Sequence, residues 1–132
     1  MIDIVPFKFK YLPQLKEILE SRGEIAMFNA EMNTLPKIGY LALLNKQPIA
    51  VGFLRRLEPC FAQIDTLASN AYFGSKIRHE AIHLVVNSLL EDAKRLELKG
   101  IMALTKDQGI ITRAKELGFN EINQVVIGKL LT

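Results

Sequence analysis

Apolar residues recur at Ile82, Val85, Val86, Leu89, Leu90, Ala93 and Leu96, and those spacings of three and four set them on one face of a long helix. Just upstream the pattern differs. Phe61, Ile64, Thr66 and Leu67 predict a strand that ends near Ser69 and Asn70, and residues 71–75 form the loop between strand and helix. Ser75 is the expected N-cap, because its hydroxyl can accept from the free amides of the first helical turn.

The rest of the chain is arranged around this unit. Residues 2–5 predict a short strand stopped by Pro6. Pro13 suits the first turn of a helix carrying Leu15, Ile18 and Leu19, closed by Ser21, Arg22 and Gly23. Residues 25–32 are helical in composition, and residues 33–36 end them at a proline. Residues 38–44 and 49–57 predict two strands joined by a turn over 45–48, a hairpin. Glu58 and Pro59 break the chain before the strand from Cys60, a third antiparallel neighbour.

Beyond the long helix, Gly100 precedes residues 101–105, whose unbroken apolar run predicts a buried strand. A turn over 106–109 leads to a short amphipathic helix with Ile110, Ile111, Ala114 and Leu117, ended by Gly118 as a left-handed cap. Phe119 onward, through Val125, Val126, Ile127 and Leu130, predicts a closing strand. The order is strand, two helices, three strands, helix, strand, helix, strand. That is an α/β fold with a mixed sheet.

Composition narrows the function classes. At 132 residues, 49% apolar and 23% charged, the sequence suits one globular domain over 1–132. The net charge of +3 is mild and its Lys and Arg are scattered, so no concentrated basic face for nucleic acid is expected. A single cysteine, Cys60, excludes an internal disulfide and is compatible with a reducing compartment; it suits a small buried residue at a strand start better than a nucleophile. No apolar run approaches the ~20 residues that cross a bilayer, and the first residues lack the pattern of a secretory signal. The expected location is the cytoplasm, with no membrane partner. Oligomeric state is not legible.

Two chemistries compete for one turn of the long helix. A strand feeding a loop onto a helix N-terminus gathers unpaired N–H groups into an anion site. The same turn carries His79-Glu80-Ala81-Ile82-His83, in which two histidines one turn apart suit Zn²⁺ and Glu80 suits the activation of a water. Glu91, Glu97, Asp107 and Glu116 are the available third ligands, none in a recognisable second motif.

Residues 93–105, Ala-Lys-Arg-Leu-Glu-Leu-Lys-Gly-Ile-Met-Ala-Leu-Thr, followed by Ala114-Lys115-Glu116-Leu117-Gly118-Phe119, carry a resemblance. Together with the element order and the hairpin segment Gln47-Pro48-Ile49-Ala50-Val51-Gly52-Phe53, they resemble the GNAT N-acetyltransferase superfamily, including its small members from tailed phages. The resemblance implies a mixed, mostly antiparallel sheet flanked by helices, in which the strand before the long helix splays from its neighbour. It implies that acetyl-CoA fits in that gap, with the acetyl group passing to an amine of a small molecule or protein.

By the same resemblance, the cofactor-binding residues are Leu67, Ala68 and Ser69, the loop and helix start Gly74, Ser75, Lys76, Ile77, Arg78 and His79, and Asp107. Asp65, the carboxylate on the central strand, is the implied general base if its environment tunes it to that task. Residues 24–35 would line the acceptor side, with Glu24, Asn29 and Glu31. Two positions depart from the family pattern. The loop has one glycine, Gly74, where the family has a glycine-rich run, so Lys76 and Arg78 are candidates to supply charge instead. Ala114 stands where the family often has the tyrosine that protonates the departing thiolate. Three functions follow for test: acetyl transfer, a zinc peptidase through His79, Glu80 and His83, and a GNAT-like binding or host-modulating module without catalysis.

Overall fold

The computed structural model describes residues 1–24, 35–57, 60–105, 107–125 and 127–129. The elements run β1 (Ile2–Pro6), a 3-10 turn (Phe9–Tyr11), α1 (Leu12–Ser21), β2 (Ile38–Leu44), β3 (Gln47–Leu57), β4 (Phe61–Ser69), α2 (Ser75–Arg95), β5 (Gly100–Ala103) and α3 (Gln108–Glu116). The strands form one sheet in the order β1-β2-β3-β4-β5, antiparallel except for the parallel pair β4–β5. A parallel neighbour needs a crossover, and α2 supplies it.

Side chains alternate across a strand, so each face of the sheet collects its own core. Ala50 and Leu54 of β3, with Ala62 and Ile64 of β4, pack against Ala81, Ile82, Val85 and Leu89 of α2. Val51 and Phe53, with Leu41 and Ala68, pack on the other face against Leu15, Ile18 and Leu19 of α1. Helices on both faces of a sheet make the three layers of an α/β fold. No helix among the described residues is long and apolar enough to cross a membrane.

Several elements differ from expectation. The hairpin turn is tighter: Asn45 and Lys46 alone form it, both at positive φ (51° and 67°), and Pro48 already lies in β3. Paired left-handed residues match the twist of the flanking strands, which draws the ladder further into the turn than the proline suggests. Gly74, in extended backbone, occupies the N-cap position of α2, and Ser75 is the first helical residue with no capping role. Strand β5 is shorter than expected, ending at Ala103, and its residues are half-buried because it lies at the edge of the sheet.

The expected closing strand does not form among the described residues; Ile122, Val125 and Ile127 are exposed, since apolar composition makes no ladder without a strand in register to pair with. Val126 and Leu130 lie outside the described residues, as do the expected helix over 25–32, the start of its stop signal and the break at Glu58 and Pro59.

Candidate functional site

The site begins where two strands part. β4 and β5 pair from Phe61 with Gly100 to Ile64 with Ala103, and no further. Past Ile64, the edge of β4 that faces β5 has no ladder partner among the described residues. Residues 104 and 105 leave the sheet, and a cavity of about 290 Å³ opens between the strands, lined by Asp65, Thr66, Leu67 and Ala68 on one side and Leu104 and Thr105 on the other.

A bulge accompanies the parting. Val51 pairs with Ala68 and Phe53 with Asp65, so Thr66 and Leu67 together oppose the single residue Gly52. Thr66 has φ 51°, a left-handed conformation that a β-branched residue rarely adopts. Gly52 makes the arrangement possible, because a Cβ there would lie 2.9 Å from both Leu67 Cδ1 and Val85 Cγ1. The glycine lets α2 and the bulged strand close on β3 together.

Charged groups gather at this cavity. Asp65 accepts a 2.7 Å hydrogen bond from Arg55 Nε at Oδ2, while its Oδ1 has the Thr66 hydroxyl at 3.5 Å. Glu24 and Leu35, the two ends of the expected acceptor segment, both line the cavity; residues 25–34 between them lie outside the described residues. Arg22 bridges several parts of the rim. Its Nε meets Glu24 at 3.3 Å, and its terminal nitrogens lie 3.5 Å from the Ser69 carbonyl and from Asp107 Oδ2.

The loop from β4 to α2 is pinned at its start. Asn70 is buried; its backbone N–H donates to Ile49 O at 2.7 Å and its side chain donates to Pro48 O at 2.9 Å. Its Oδ1 accepts from Tyr72 N–H, and Ser21 Oγ accepts from Ala71 N–H. A buried amide with its groups satisfied fixes the direction in which the chain enters α2.

A second cavity of about 220 Å³ follows, lined by Ser69, Arg78, Ile82, Asp107, Gly109, Ile110 and Arg113. Asp107 caps α3, accepting from the N–H groups of Gly109 (2.8 Å) and Ile110 (3.2 Å). Arg113 Nε donates to His79 Nδ1, and His79 Nε2 lies 3.7 Å from Glu116 Oε2.

The residues expected from the sequence therefore divide. Asp65, Leu67 and Ala68 meet at the first cavity, and Ser69, Arg78 and Asp107 at the second. Gly74, Ser75 and Lys76 are exposed at the start of α2 and line neither; Ile77 packs against the core, because it lies on the buried stripe of the helix. His79 faces Arg113 instead of lining a cavity. Thr66, Arg22 and Arg113 were not found by sequence reasoning. A left-handed threonine leaves no mark in composition, and two isolated arginines 91 positions apart gave no signal.

The zinc arrangement does not assemble. His79 and His83 are half-buried on α2, and no three His, Cys, Asp or Glu side chains cluster as a metal site among the described residues. Arg113 sets a guanidinium on the Nδ1 lone pair of His79, a cation on the same ring that would have to ligate a dication through Nε2.

No protein-family model matches the chain, and no curated protein matches it in sequence. Solved structures match it in fold. A GNAT-family acetyltransferase from Streptococcus pneumoniae aligns with a TM-score of 0.76 at 13% identity, over 98% of this chain and 100% of that one. A predicted acetyltransferase from Clostridium acetobutylicum, solved with acetyl-CoA, aligns with a TM-score of 0.66 at 16% identity, over 98% and 96%. An aminoglycoside 6'-N-acetyltransferase from Acinetobacter haemolyticus aligns with a TM-score of 0.68 at 19% identity, over 98% and 99%. The chain has the GNAT fold.

Proposed function

We propose that the protein is an acetyl-CoA-dependent N-acetyltransferase acting on an amine. The observation that carries this reading is the parting of β4 and β5 after Ile64 and Ala103, with an open cavity between them. An extended ligand with amide groups of its own suits the unpaired edge of β4, because it can take up the N–H and C=O groups that β5 no longer reaches. The pantetheine arm of acetyl-CoA is such a ligand, and the structural relative from Clostridium acetobutylicum is solved with acetyl-CoA.

The thioester lies beside Leu67 and Ala68 in this reading, and the amine approaches from the side of Glu24 and Asp65. Two carboxylates stand at that end, Glu24 beside Arg22 and Asp65 beside Arg55. The amine nitrogen bonds to the thioester carbonyl carbon, the C–S bond breaks, and the nitrogen's proton passes to Asp65 Oδ1, the oxygen not held by Arg55. With Ala114 in place of a tyrosine, the thiolate leaves uncapped and takes its proton from solvent. Burial of the thioester between two strands brings the reactants together and supplies the orientation. The acceptor is a small molecule or a lysine-bearing protein in the cytoplasm.

Acetyl-CoA at one hundred times its dissociation constant should stabilise the folded state by about 2.7 kcal/mol. Thiol release with a panel of polyamines, aminoglycosides and lysine peptides then identifies the acceptor. A melting temperature unmoved by acetyl-CoA sinks the reading and leaves a binding module on the same fold.

A further inference from the structure

Five strand termini meet at one end of the sheet: β1 and β3 stop there, and β2, β4 and β5 start. Lys8 follows β1, where Phe7 N–H donates to Gly39 O at 2.8 Å, and Lys37 precedes β2. Arg56 lies two residues past Leu54, the partner of Ile38, and pairs with Ala62 near the start of β4. Lys99 precedes β5, and its N–H donates to Cys60 O at 2.8 Å. All four residues are exposed, and none has an ion-pair partner among the described residues.

Charge does not cancel at this end. Arg55 is held by Asp65, Arg95 by Asp92 and Lys94 by Glu91, while Lys10 Nζ sits 5.2 Å over the Tyr11 ring. Lys8, Lys37, Arg56 and Lys99 then outnumber Glu97, exposed just past α2, and Glu58, which lies between β3 and β4 in sequence. The four cations are far apart along the chain, so no basic run marks them. Alternating strand direction collects them. Strands set about 4.8 Å apart spread the five termini over about 20 Å, which makes a stripe of positive charge.

Two aromatic rings interrupt the stripe. Phe9, between Lys8 and Lys10 on the 3-10 turn, is 77% exposed. Phe61, the first residue of β4, is 48% exposed, and its ring packs against Gly100, where a Cβ would not fit. The glycine holds that ring to the sheet and leaves the rest of it open to solvent.

We infer that this end of the sheet docks a single-stranded nucleic acid, with phosphates on the four cations and bases against Phe9 and Phe61. Every base has a π-face to set on an aromatic ring, whatever its sequence. A duplex keeps those faces stacked inside, so the open strand is the form that fits. An acidic peptide would meet the same charge and leave both rings unused. A bilayer needs an apolar wedge, and one protruding phenylalanine beside a ring held to the sheet does not make one. None of these residues lines either cavity, so the inference stands apart from the proposed acetyl transfer.

Fluorescence anisotropy of the full chain tests this, with labelled single strands of DNA and of RNA about 12 nucleotides long, within the usual range of site sizes. Wild type should bind at least one of them, and more tightly than the duplex of the same sequence. The double variant Lys37→Gln with Arg56→Gln should lose tenfold or more in affinity. Its slope of log affinity against log salt should shrink by about 1.4, the share of two phosphate contacts. Lys46→Gln with Lys76→Gln removes equal charge from exposed positions at the opposite end and should change neither quantity. Phe9→Ala should weaken binding at least about fivefold with the slope unchanged. Circular dichroism confirms the fold of each variant. Failure to bind either strand, equal losses in the two double variants, or tighter binding to polyglutamate or to phosphatidylserine vesicles overturns the inference. So does wild-type affinity in Phe9→Ala, because charge alone would then hold the strand.

Discussion

The hydroxyl of Tyr40 donates a 2.7 Å hydrogen bond to Oδ2 of Asp92, tying β2 to the last turns of α2. Asp92 is 7% exposed, and its other oxygen is held by Arg95. A buried carboxylate that loses one donor keeps its desolvation and loses its compensation. Tyr40→Phe should therefore lower stability by about 2 kcal/mol, read from the urea midpoint at neutral pH. The pair also sets an alkaline limit. Burial, and then the bond to Asp92, push the Tyr40 hydroxyl above its ordinary value of 10.0. Below that value the contribution is whole. Above it the unfolded chain gives up the proton first, so stability falls as pH rises through the folded-state value. Comparing urea midpoints at about pH 9 and about pH 11 should show a decline in wild type that is smaller in Tyr40→Phe. Equal declines in both proteins refute the assignment.

Gly52 should tolerate no side chain. Alanine there sets a methyl 2.9 Å from Leu67 Cδ1 and Val85 Cγ1, so either the bulge or the helix must shift. The expected loss is about 1–3 kcal/mol, typical of overpacking. Because the bulge lines the first cavity, affinity for acetyl-CoA should fall alongside. A variant with unchanged melting temperature and unchanged affinity contradicts the role given to this glycine.

Asp65→Asn separates chemistry from binding. As the proton acceptor, Asp65 should contribute about 10²–10⁴-fold to kcat, with KM for acetyl-CoA nearly unchanged. The ion pair with Arg55 is partly exposed, so its loss should cost under about 1 kcal/mol of stability. Full activity in the asparagine variant assigns the proton to another group.

Removal of metal should have no effect on the fold. His79 is committed to Arg113, and no ligand cluster forms among the described residues. Dialysis against EDTA should leave the melting temperature in place, and His83→Ala should retain acetyl-CoA binding. A chelator-dependent loss of stability restores the zinc reading.

Much of this architecture is local in origin. The spacing from Ile82 to Leu96 marks a helix because an apolar stripe at intervals of three and four has no other way to be buried together. The bounds of β2 agree with those read from the sequence, and the short helix with Ile110, Ile111 and Ala114 forms after the expected turn. The strand–loop–helix unit around Ser69 was legible for the same reason: each of its signals lies within a few residues of the feature that it sets.

Tertiary structure alone decided the rest. Whether β4 and β5 part, and whether the gap is open, depends on residues 39 positions apart in sequence, and no local pattern encodes that divergence. Thr66 is driven into a left-handed conformation by a register shift against Gly52 on another strand. His79 and His83 have the spacing of zinc ligands, yet a guanidinium from α3 claims the first of them. Periodicity determined the elements because burial acts on neighbours along the chain. The site was set by what meets across the sheet, where charge and free backbone groups come together only after folding.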